Sequence, residues 1–223
     1  MINSPSLFNC DLTCLHEQLD EMTAGGAKYM HIDLIDGHYA GNLGFPPRII
    51  SDIKKRYPDL VADVHIMVTN PADYVDVLKK AGADYVCFHT DSTRFVLRTL
   101  KAYRDAGIKP GVVLNPSQDI RHLIPFIDQV DMVIVMAVEP GFAGQSYLPR
   151  TTERIRELAA LRKERDLHFL INVDGGVNDT VGHELEKLGV DIIVGTIHNI
   201  FNQPVGLREA CEHFEAEFNK KQS

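Results

Sequence analysis

Histidine and aspartate residues recur at alternating positions in three apolar segments of the chain. His31 and Asp33 lie two residues apart, Asp63 and His65 repeat this spacing, and Asp174 ends a third segment. Residues two apart on a β-strand point to the same face of the sheet, so the members of each pair would share their surroundings. A single histidine or aspartate at such a position is more often a hydrogen-bonded core residue or a helix cap.

Three segments with ionisable groups are harder to explain as packing, because ionisable side chains in an apolar interior carry a desolvation cost. Two imidazoles and two carboxylates, from His31, His65, Asp33 and Asp174, form a suitable ligand set for one divalent ion. Zn²⁺ is the first candidate, and Fe²⁺, Mn²⁺ and Co²⁺ are the alternatives. The sequence therefore predicts a metal site.

Glycine-rich turns follow three of the later apolar segments. They contain Gly141 and Gly144, Gly175 and Gly176, and Gly195 followed by Thr196. Any one of these turns could simply allow the chain to reverse direction, but three of them favour a ligand site. Free backbone N–H groups and a helix N-terminus can bind a phosphate, as the last loops of α/β barrels commonly do. We therefore expect these turns to bind a phosphate group.

The elements that must position these residues are eight apolar segments, rich in Val and Ile, that alternate with amphipathic stretches. The predicted strands are Ile2–Leu7, Tyr29–Ile35, Val61–Met67, Tyr85–His89, Gly111–Leu114, Met132–Ala137, Phe169–Asp174 and Ile192–Gly195. The predicted helices include Leu12–Ala24, Ala72–Ala81, Phe95–Ala106, Thr151–Arg165 and Thr180–Leu188. Continuous apolar strands are typical of a parallel sheet covered by helices, and eight βα units can close into a barrel.

The pattern predicts an α/β protein with a single (β/α)₈ TIM barrel over residues 1–223. A doubly wound open sheet is the alternative, but no Gly-x-Gly-x-x-Gly motif follows the first strand. Active sites of barrels lie at the carboxyl ends of the strands, where the candidate metal ligands and the glycine-rich turns are also expected.

Composition excludes several other classes of function. The net charge is −8 and no basic run stands out, so neither a nucleic acid nor an anionic membrane surface is an expected partner. The longest apolar run, around Met132–Val138, is too short to span a bilayer, and the first residues lack the pattern of a secretory signal. The four cysteines have no metal-site spacing, which favours reduced thiols. We expect a cytoplasmic protein.

Five motifs spread over nearly the whole chain resemble those of one enzyme family. They are His31-Ile-Asp33-Leu-Ile-Asp36-Gly37-His38, Asp63-Val-His65-Ile-Met67-Val68, Leu114-Asn-Pro116, Met136-Ala-Val-Glu-Pro-Gly141-Phe-Ala-Gly144-Gln145 and Val173-Asp174-Gly175-Gly176. With the opening Ser4-Pro-Ser6-Leu, they closely resemble the ribulose-phosphate 3-epimerase family. The resemblance implies a TIM barrel of the ribulose-phosphate-binding type and a metal-dependent 3-epimerase of a ketose phosphate.

The resemblance also implies roles for individual residues. One divalent ion would be bound by His31, Asp33, His65 and Asp174. Asp33 and Asp174 would also be the two acid/base groups. The residues implied to line the substrate site or to contact its phosphate are Ser6, Met67, Met136, Gly144, Gly176, Gly195 and Thr196.

The chemistry of the residues agrees with these roles. A proton next to a ketone is weakly acidic, and a metal on the C2 carbonyl and C3 hydroxyl oxygens would stabilise the enediolate as a Lewis acid. Asp33 would remove the C3 proton and Asp174 would return one on the opposite face, which inverts the carbon.

Some positions depart from the common pattern of the family. Ile35 occupies a usual Met position, Gly44 lies in an altered loop, and the segment after Gly195-Thr196 is longer than usual. Phe-Ala-Gly-Gln at residues 142–145 and Gly195-Thr196 look like the D-allulose-6-phosphate 3-epimerase branch. D-ribulose 5-phosphate is our first expected substrate and D-allulose 6-phosphate the alternative. We expect Ile197–Asn199 to affect the choice between five- and six-carbon sugars.

Two rival functions come from other classes. Related phosphate-binding lyases look like Asp-x-Lys-x-x-Asp on the third strand, whereas this strand reads Asp63-Val-His65-Ile-Met-Val68 and lacks both the Lys and the second Asp. A catalytically silent sugar-phosphate-binding barrel is the more distant alternative, and the presence of all four candidate ligands argues against it. For either function the partner is a small sugar phosphate, and a homo-oligomer is the expected assembly.

Overall fold

Eight parallel strands form the centre of the computed structural model, which describes residues 1–219. They are β1 (Ile2–Pro5), β2 (Tyr29–Ile35), β3 (Val61–Met67), β4 (Tyr85–His89), β5 (Lys109–Leu114), β6 (Met132–Met136), β7 (Leu170–Asp174) and β8 (Ile192–Gly195). Each strand pairs with its neighbour in chain order from β2 to β8, and β8 also pairs with β1. A parallel bridge between Ser6 and His31 joins β1 to β2. This nearly closed barrel confirms the predicted TIM fold.

Helices cover the outside of the barrel. In residues 1–219 they are α1 (Leu15–Ala24), α2 (Arg48–Arg56), α3 (Val75–Ala81), α4 (Val96–Asp105), α5 (Arg150–Glu164), α6 (Asp179–Lys187) and α7 (Leu207–Phe218). None of these helices is long and apolar enough to cross a lipid bilayer. The five helices predicted from the sequence are present, with ends that differ by a few residues.

The connection between β5 and β6 departs from the predicted repeat. Two short 3₁₀ turns, Ile120–Leu123 and Ile127–Gln129, occupy the place of an α-helix. Pro125 lies between them, and a proline lacks the N–H that an α-helix would need at this point. The sequence analysis named no helix between these two strands, and the two turns connect them instead.

The first strand is also shorter than predicted, because the chain turns just after it. The Ser6 side chain accepts a hydrogen bond from the Phe8 N–H and caps a 3₁₀ turn at Leu7–Asn9. The strand ends at Pro5, and Ser6 lies at the carboxyl end of the barrel instead of within the ladder.

Successive side chains of each strand point alternately outward to the helices and inward to the barrel interior, and the two faces differ in polarity. Outward side chains such as Ile32, Val64 and Val173 are fully buried between the sheet and the helices. Inward side chains on the β4–β8 side form a second apolar cluster that includes Cys87 and Ile134. On the β1–β3 side the interior is polar, with Ser4, His31, Asp63 and His65 all fully buried. The apolar outer layer therefore supports a barrel whose interior carries ionisable groups.

The barrel interior leaves no room for a side chain at Gly111. A Cβ there would contact Cys87 Sγ and lie 2.8 Å from the Met132 carbonyl oxygen, which belongs to the backbone and cannot rotate away. We predict that Gly111→Ala lowers the free energy of unfolding by about 1–3 kcal/mol, measured by urea denaturation. Gly41→Ala is the matched control, because no atom in the described part of the chain lies within 4 Å of its added Cβ. Equal stability of the two variants would contradict this packing.

Candidate metal centre and active site

The four side chains predicted to bind a metal converge at the carboxyl end of the barrel. His31 and Asp33 come from β2, His65 from β3, and Asp174 is the last residue of β7. One candidate ligand atom from each residue lies within 4.8 Å of the other three. The residues are distant in sequence, and closure of the barrel brings them together.

The distances between these atoms are those that a shared ion would produce. His31 Nε2 lies 3.3 Å from Asp33 Oδ1 and 3.8 Å from Asp174 Oδ2. His65 Nδ1 lies 3.2 Å and 3.5 Å from the same two oxygens. A tetrahedral ion with bonds of about 2.0–2.1 Å separates its ligand atoms by roughly 3.3–3.4 Å. The spacing therefore suits one small divalent cation.

Unpaired nitrogen atoms provide an independent test of this fit. His31 Nε2 and His65 Nδ1 are buried and have no hydrogen-bond partner in the described residues, 1–219. A buried polar atom without a partner is costly, so its presence calls for a ligand. Both atoms face the two carboxylates, and imidazole nitrogen with carboxylate oxygen is a donor set typical of Zn²⁺ and related ions. The residues present fit a divalent metal.

Opposing charges control the protonation of the cluster. Burial lowers the pKa of His31, but the Asp33 and Asp63 carboxylates outweigh it and raise that pKa well above the ordinary value. The pKa of His65 is raised in the same way, against burial, by Asp174 and Asp33. Burial raises the pKa of Asp33, yet both imidazoles lower it far below its usual range. Asp33 is thus ionised, and a metal must compete with protons for the two imidazoles.

The other nitrogen of His31 is fixed by a buried carboxylate. Asp63 Oδ2 lies 2.9 Å from His31 Nδ1 and also accepts hydrogen bonds from Ser4 Oγ at 3.1 Å and Asn172 Nδ2 at 3.0 Å. With its proton on Nδ1, His31 presents the Nε2 lone pair to the cluster. The sequence analysis did not assign Asp63 to the site, although its position two residues before His65 already placed it on the same face.

A cleft opens above the metal cluster, with Asp33 and Asp174 in its lining. Its lining includes most of the predicted substrate residues, namely Ser6, Met67, Met136, Gly141, Gly144, Gly175, Gly176 and Thr196. Gly195 does not belong to this lining and packs against Pro5 and Ile200 instead. Lining residues that the sequence analysis did not assign to the substrate include Phe8, Val138 and Phe142, whereas His198 belongs to the Ile197–Asn199 segment expected to affect the choice of sugar.

Ser6 and three apolar side chains shape the floor of the cleft. Ser6 Oγ donates a 2.9 Å hydrogen bond to Asp33 Oδ2, which leaves Asp33 Oδ1 facing the imidazoles. Ile35, Met67 and Met136 are buried beside this carboxylate and line the same cleft. The ionised groups therefore lie next to a largely apolar wall.

The glycine-rich turns close the far end of the cleft. Gly141, Gly144, Gly175 and Gly176 all have positive φ angles, between 66° and 113°. At Gly176 a side chain would collide with the Tyr147 backbone nitrogen, so the turn also depends on close packing. The predicted turns are thus present and adjacent.

A short helical turn at Ile197–Phe201 connects this end of the cleft to the loop after β6. His198 Nε2 lies 3.1 Å from the Gln145 carbonyl oxygen and donates to it. Asn199 Oδ1 accepts a 2.8 Å hydrogen bond from the Thr196 N–H, so this N–H already has a partner. The lengthened segment therefore reaches the cleft through His198.

Comparisons with known proteins agree with this geometry. The family model for the ribulose-phosphate 3 epimerase family matches residues 2–200. Ribulose-phosphate 3-epimerase from Aquifex aeolicus is 34% identical over 86% of this chain and 86% of its own length. The corresponding Escherichia coli protein is 33% identical over 90% of this chain and 89% of its own length.

Among solved structures, KGPDC from Streptococcus mutans in complex with D-R5P has a TM-score of 0.76 at 14% identity, covering 99% of this chain and 98% of that one. At this identity the likeness shows the fold alone. The family match and the curated relatives carry the assignment further, and they extend over most of the chain. The chain belongs to the ribulose-phosphate 3-epimerase family and is an epimerase that acts on carbohydrates.

Proposed function

We propose that the protein is a metal-dependent 3-epimerase that interconverts D-ribulose 5-phosphate and D-xylulose 5-phosphate. The observation that carries the proposal is the convergence of Asp33 and Asp174 on two unpaired imidazole nitrogens at the floor of the cleft. The relatives from Aquifex aeolicus and Escherichia coli are ribulose-phosphate 3-epimerases, which supports the same substrate class. A five-carbon sugar phosphate would lie with its carbonyl end at this floor and its phosphate at the glycine-rich turns.

His31, His65, Asp33 and Asp174 would hold the metal ion. When bound, the ion would polarise the ketose carbonyl as a Lewis acid and so make the neighbouring C3 proton more acidic. Asp33 would accept that proton. Asp174 would deliver a proton to C3 from the opposite face, which inverts the configuration, and the two residues would exchange roles in the reverse reaction.

Several contacts prepare Asp33 for proton abstraction. The hydrogen bond from Ser6 fixes the orientation of the carboxylate, and Oδ1 is left facing the cluster. Asp174 approaches the cleft from β7, which is separated from β2 by the two strands β1 and β8. Carboxylates from separate strands can meet opposite faces of a flat enediolate. The thioethers of Met67 and Met136 would exclude water and offer a polarisable surface beside it.

D-allulose 6-phosphate is the second candidate substrate. The Phe142–Gln145 segment and Gly195-Thr196 resemble the branch that acts on that sugar, and His198 adds a polar side chain at the phosphate end of the cleft. Catalysis at C2 and C3 fixes one end of the sugar, so a longer sugar must be accommodated at the other end. A screen of ribulose, xylulose, allulose and fructose phosphates with purified protein separates the two candidates.

Turnover is expected to require one tightly held divalent ion. Removal of the ion by a strong chelator should abolish activity, and Zn²⁺, Mn²⁺, Fe²⁺ or Co²⁺ should restore it. The ion should also stabilise the fold, by about 2.7 kcal/mol at one hundred times its dissociation constant. Enzyme assays and thermal unfolding on the same sample measure both effects. Full activity in protein shown to be metal-free would exclude the proposed mechanism.

The two-base assignment predicts an asymmetric defect in Asp174→Asn. Epimerisation should fall by at least about 100-fold, because a positioned acid or base typically contributes that much. Slow exchange of the C3 proton with D₂O should persist for one epimer, through Asp33, and NMR detects it. Metal content is measured in parallel, and Asp128→Asn, an exposed position, is the control. Inversion at the parental rate by metal-loaded Asp174→Asn would contradict the assignment.

The lengthened segment after β8 is expected to set sugar length. Deletion of His198 and Asn199 restores the common family length and removes the contact with Gln145. The ratio of kcat/KM for the five- and six-carbon sugars should shift by roughly ten-fold or more, since one CH(OH) unit is worth about 1–3 kcal/mol. Metal affinity should stay at the parental value. An unchanged ratio in a folded, metal-loaded variant would direct attention to Ile35 and Gly44.

A further inference from the structure

A buried histidine on β4 contacts a metal ligand but takes no part in the proposed mechanism. His89 is the last residue of β4, and its Nε2 lies 2.9 Å from Nε2 of His65. Both rings are 0% exposed, and their centroids are 5.0 Å apart. This contact lies on the side of the His65 ring away from Asp33 and Asp174, which face Nδ1.

Only one proton fits between the two nitrogen atoms, because a hydrogen bond needs one donor and one acceptor. If His89 donates, a neutral His65 carries its own proton on Nδ1 and has no lone pair for a metal. If His65 donates, its Nδ1 lone pair is free. The direction of this single hydrogen bond therefore decides whether His65 can be a ligand.

The far side of His89 leads to a carboxylate at the surface. Asn115 Nδ2 donates to Tyr39 Oη at 2.7 Å and to Asp91 Oδ2 at 3.0 Å. Tyr39 Oη in turn donates to Asp91 Oδ1 at 2.8 Å, and the Tyr39 ring packs against His89 with centroids 4.4 Å apart. An ionised carboxylate can only accept hydrogen bonds, so Asp91 fixes the direction of both.

The orientation of the Asn115 amide follows from these contacts. With Nδ2 directed to Tyr39 and Asp91, its Oδ1 is available on the other side, buried and unpaired, as is His89 Nδ1. Of the neighbouring side chains, Asn115 interacts with that of His89. An amide oxygen can only accept, so His89 must carry its proton on Nδ1 to bind it.

We propose that His89 is a positioning residue that accepts the Nε2 proton of His65 and thereby reserves His65 Nδ1 for the metal. The proposal rests on the metal site of the proposed function. The hydrogen bonds of Asn115 Nδ2 and Tyr39 Oη run to the acceptor-only carboxylate of Asp91, which leaves Asn115 Oδ1 as an acceptor for a proton on His89 Nδ1. Asp63 holds the corresponding proton of His31 directly, so each histidine ligand has its own acceptor.

Metal affinity tests this role without reference to turnover. His89→Leu removes the acceptor and should weaken Zn²⁺ binding about 10–100-fold, as loss of such a partner typically does. Competition with a chromophoric chelator measures the affinity, and the visible absorption of the Co²⁺-loaded protein reports the ligand geometry. His89→Gln should recover most of the affinity, because its Oε1 can accept from His65 Nε2.

Val113→Ala is the matched control for the loss of packing. Val113 lies beside His89 in the β4–β5 register, is fully buried and has no polar group. This variant should lose stability and keep the parental Zn²⁺ affinity. Equal affinity losses in the Leu and Gln variants, or parental affinity in His89→Leu, would overturn the proposal.

A measurement on the parental protein keeps the proposal testable if His89→Leu fails to fold. ¹⁵N NMR of the Zn²⁺-loaded protein should find protons on His65 Nε2 and His89 Nδ1. A proton on His89 Nε2 would overturn the proposal while leaving the metal site intact. If the parental protein bound no Zn²⁺, the metal site of the proposed function would itself be refuted, and the proposal with it.

Discussion

Two buried imidazole nitrogens without hydrogen-bond partners among residues 1–219 are the constraint on which the rest of the site depends. His31 Nε2 and His65 Nδ1 face the same two carboxylates, while the second nitrogen of each ring has a partner of its own. Unpaired buried polar atoms are costly, so the arrangement is stable only with a ligand or with extra protons. A divalent ion satisfies both nitrogens and both carboxylates at once. The contacts that would bind the metal therefore also orient the two carboxylates proposed for catalysis.

The barrel can hold such a cluster because its stability comes from elsewhere. The outward faces of the strands pack against the helices in a continuous apolar layer, to which Ile32 and Val64 of β2 and β3 belong. The inward positions one residue away, His31 and His65, are then free to be polar. Period-two alternation thus separates the residues that stabilise the fold from those that perform chemistry.

The sequence predicted the features that alternation and local turns determine. His31, Asp33 and His65 share a face by spacing alone, and the eight apolar segments predicted the barrel that brings Asp174 to them. The sequence analysis assigned no element between β5 and β6, where 3₁₀ turns form on either side of Pro125. His89 was missed because a single histidine at a strand end carries no spacing signal. Its contact with His65 exists only once β3 and β4 are paired.

The central claim is that His31, His65, Asp33 and Asp174 together hold one ion. X-ray absorption at the Zn edge of the metal-loaded protein, with the metal content of the same sample, tests it most directly. The account predicts one ion per chain and only nitrogen and oxygen ligands, at about 2.0–2.1 Å. It also predicts that His65→Ala removes one imidazole from the spectrum. A sulfur ligand, an unchanged spectrum in His65→Ala, or the absence of any retained ion would contradict the account.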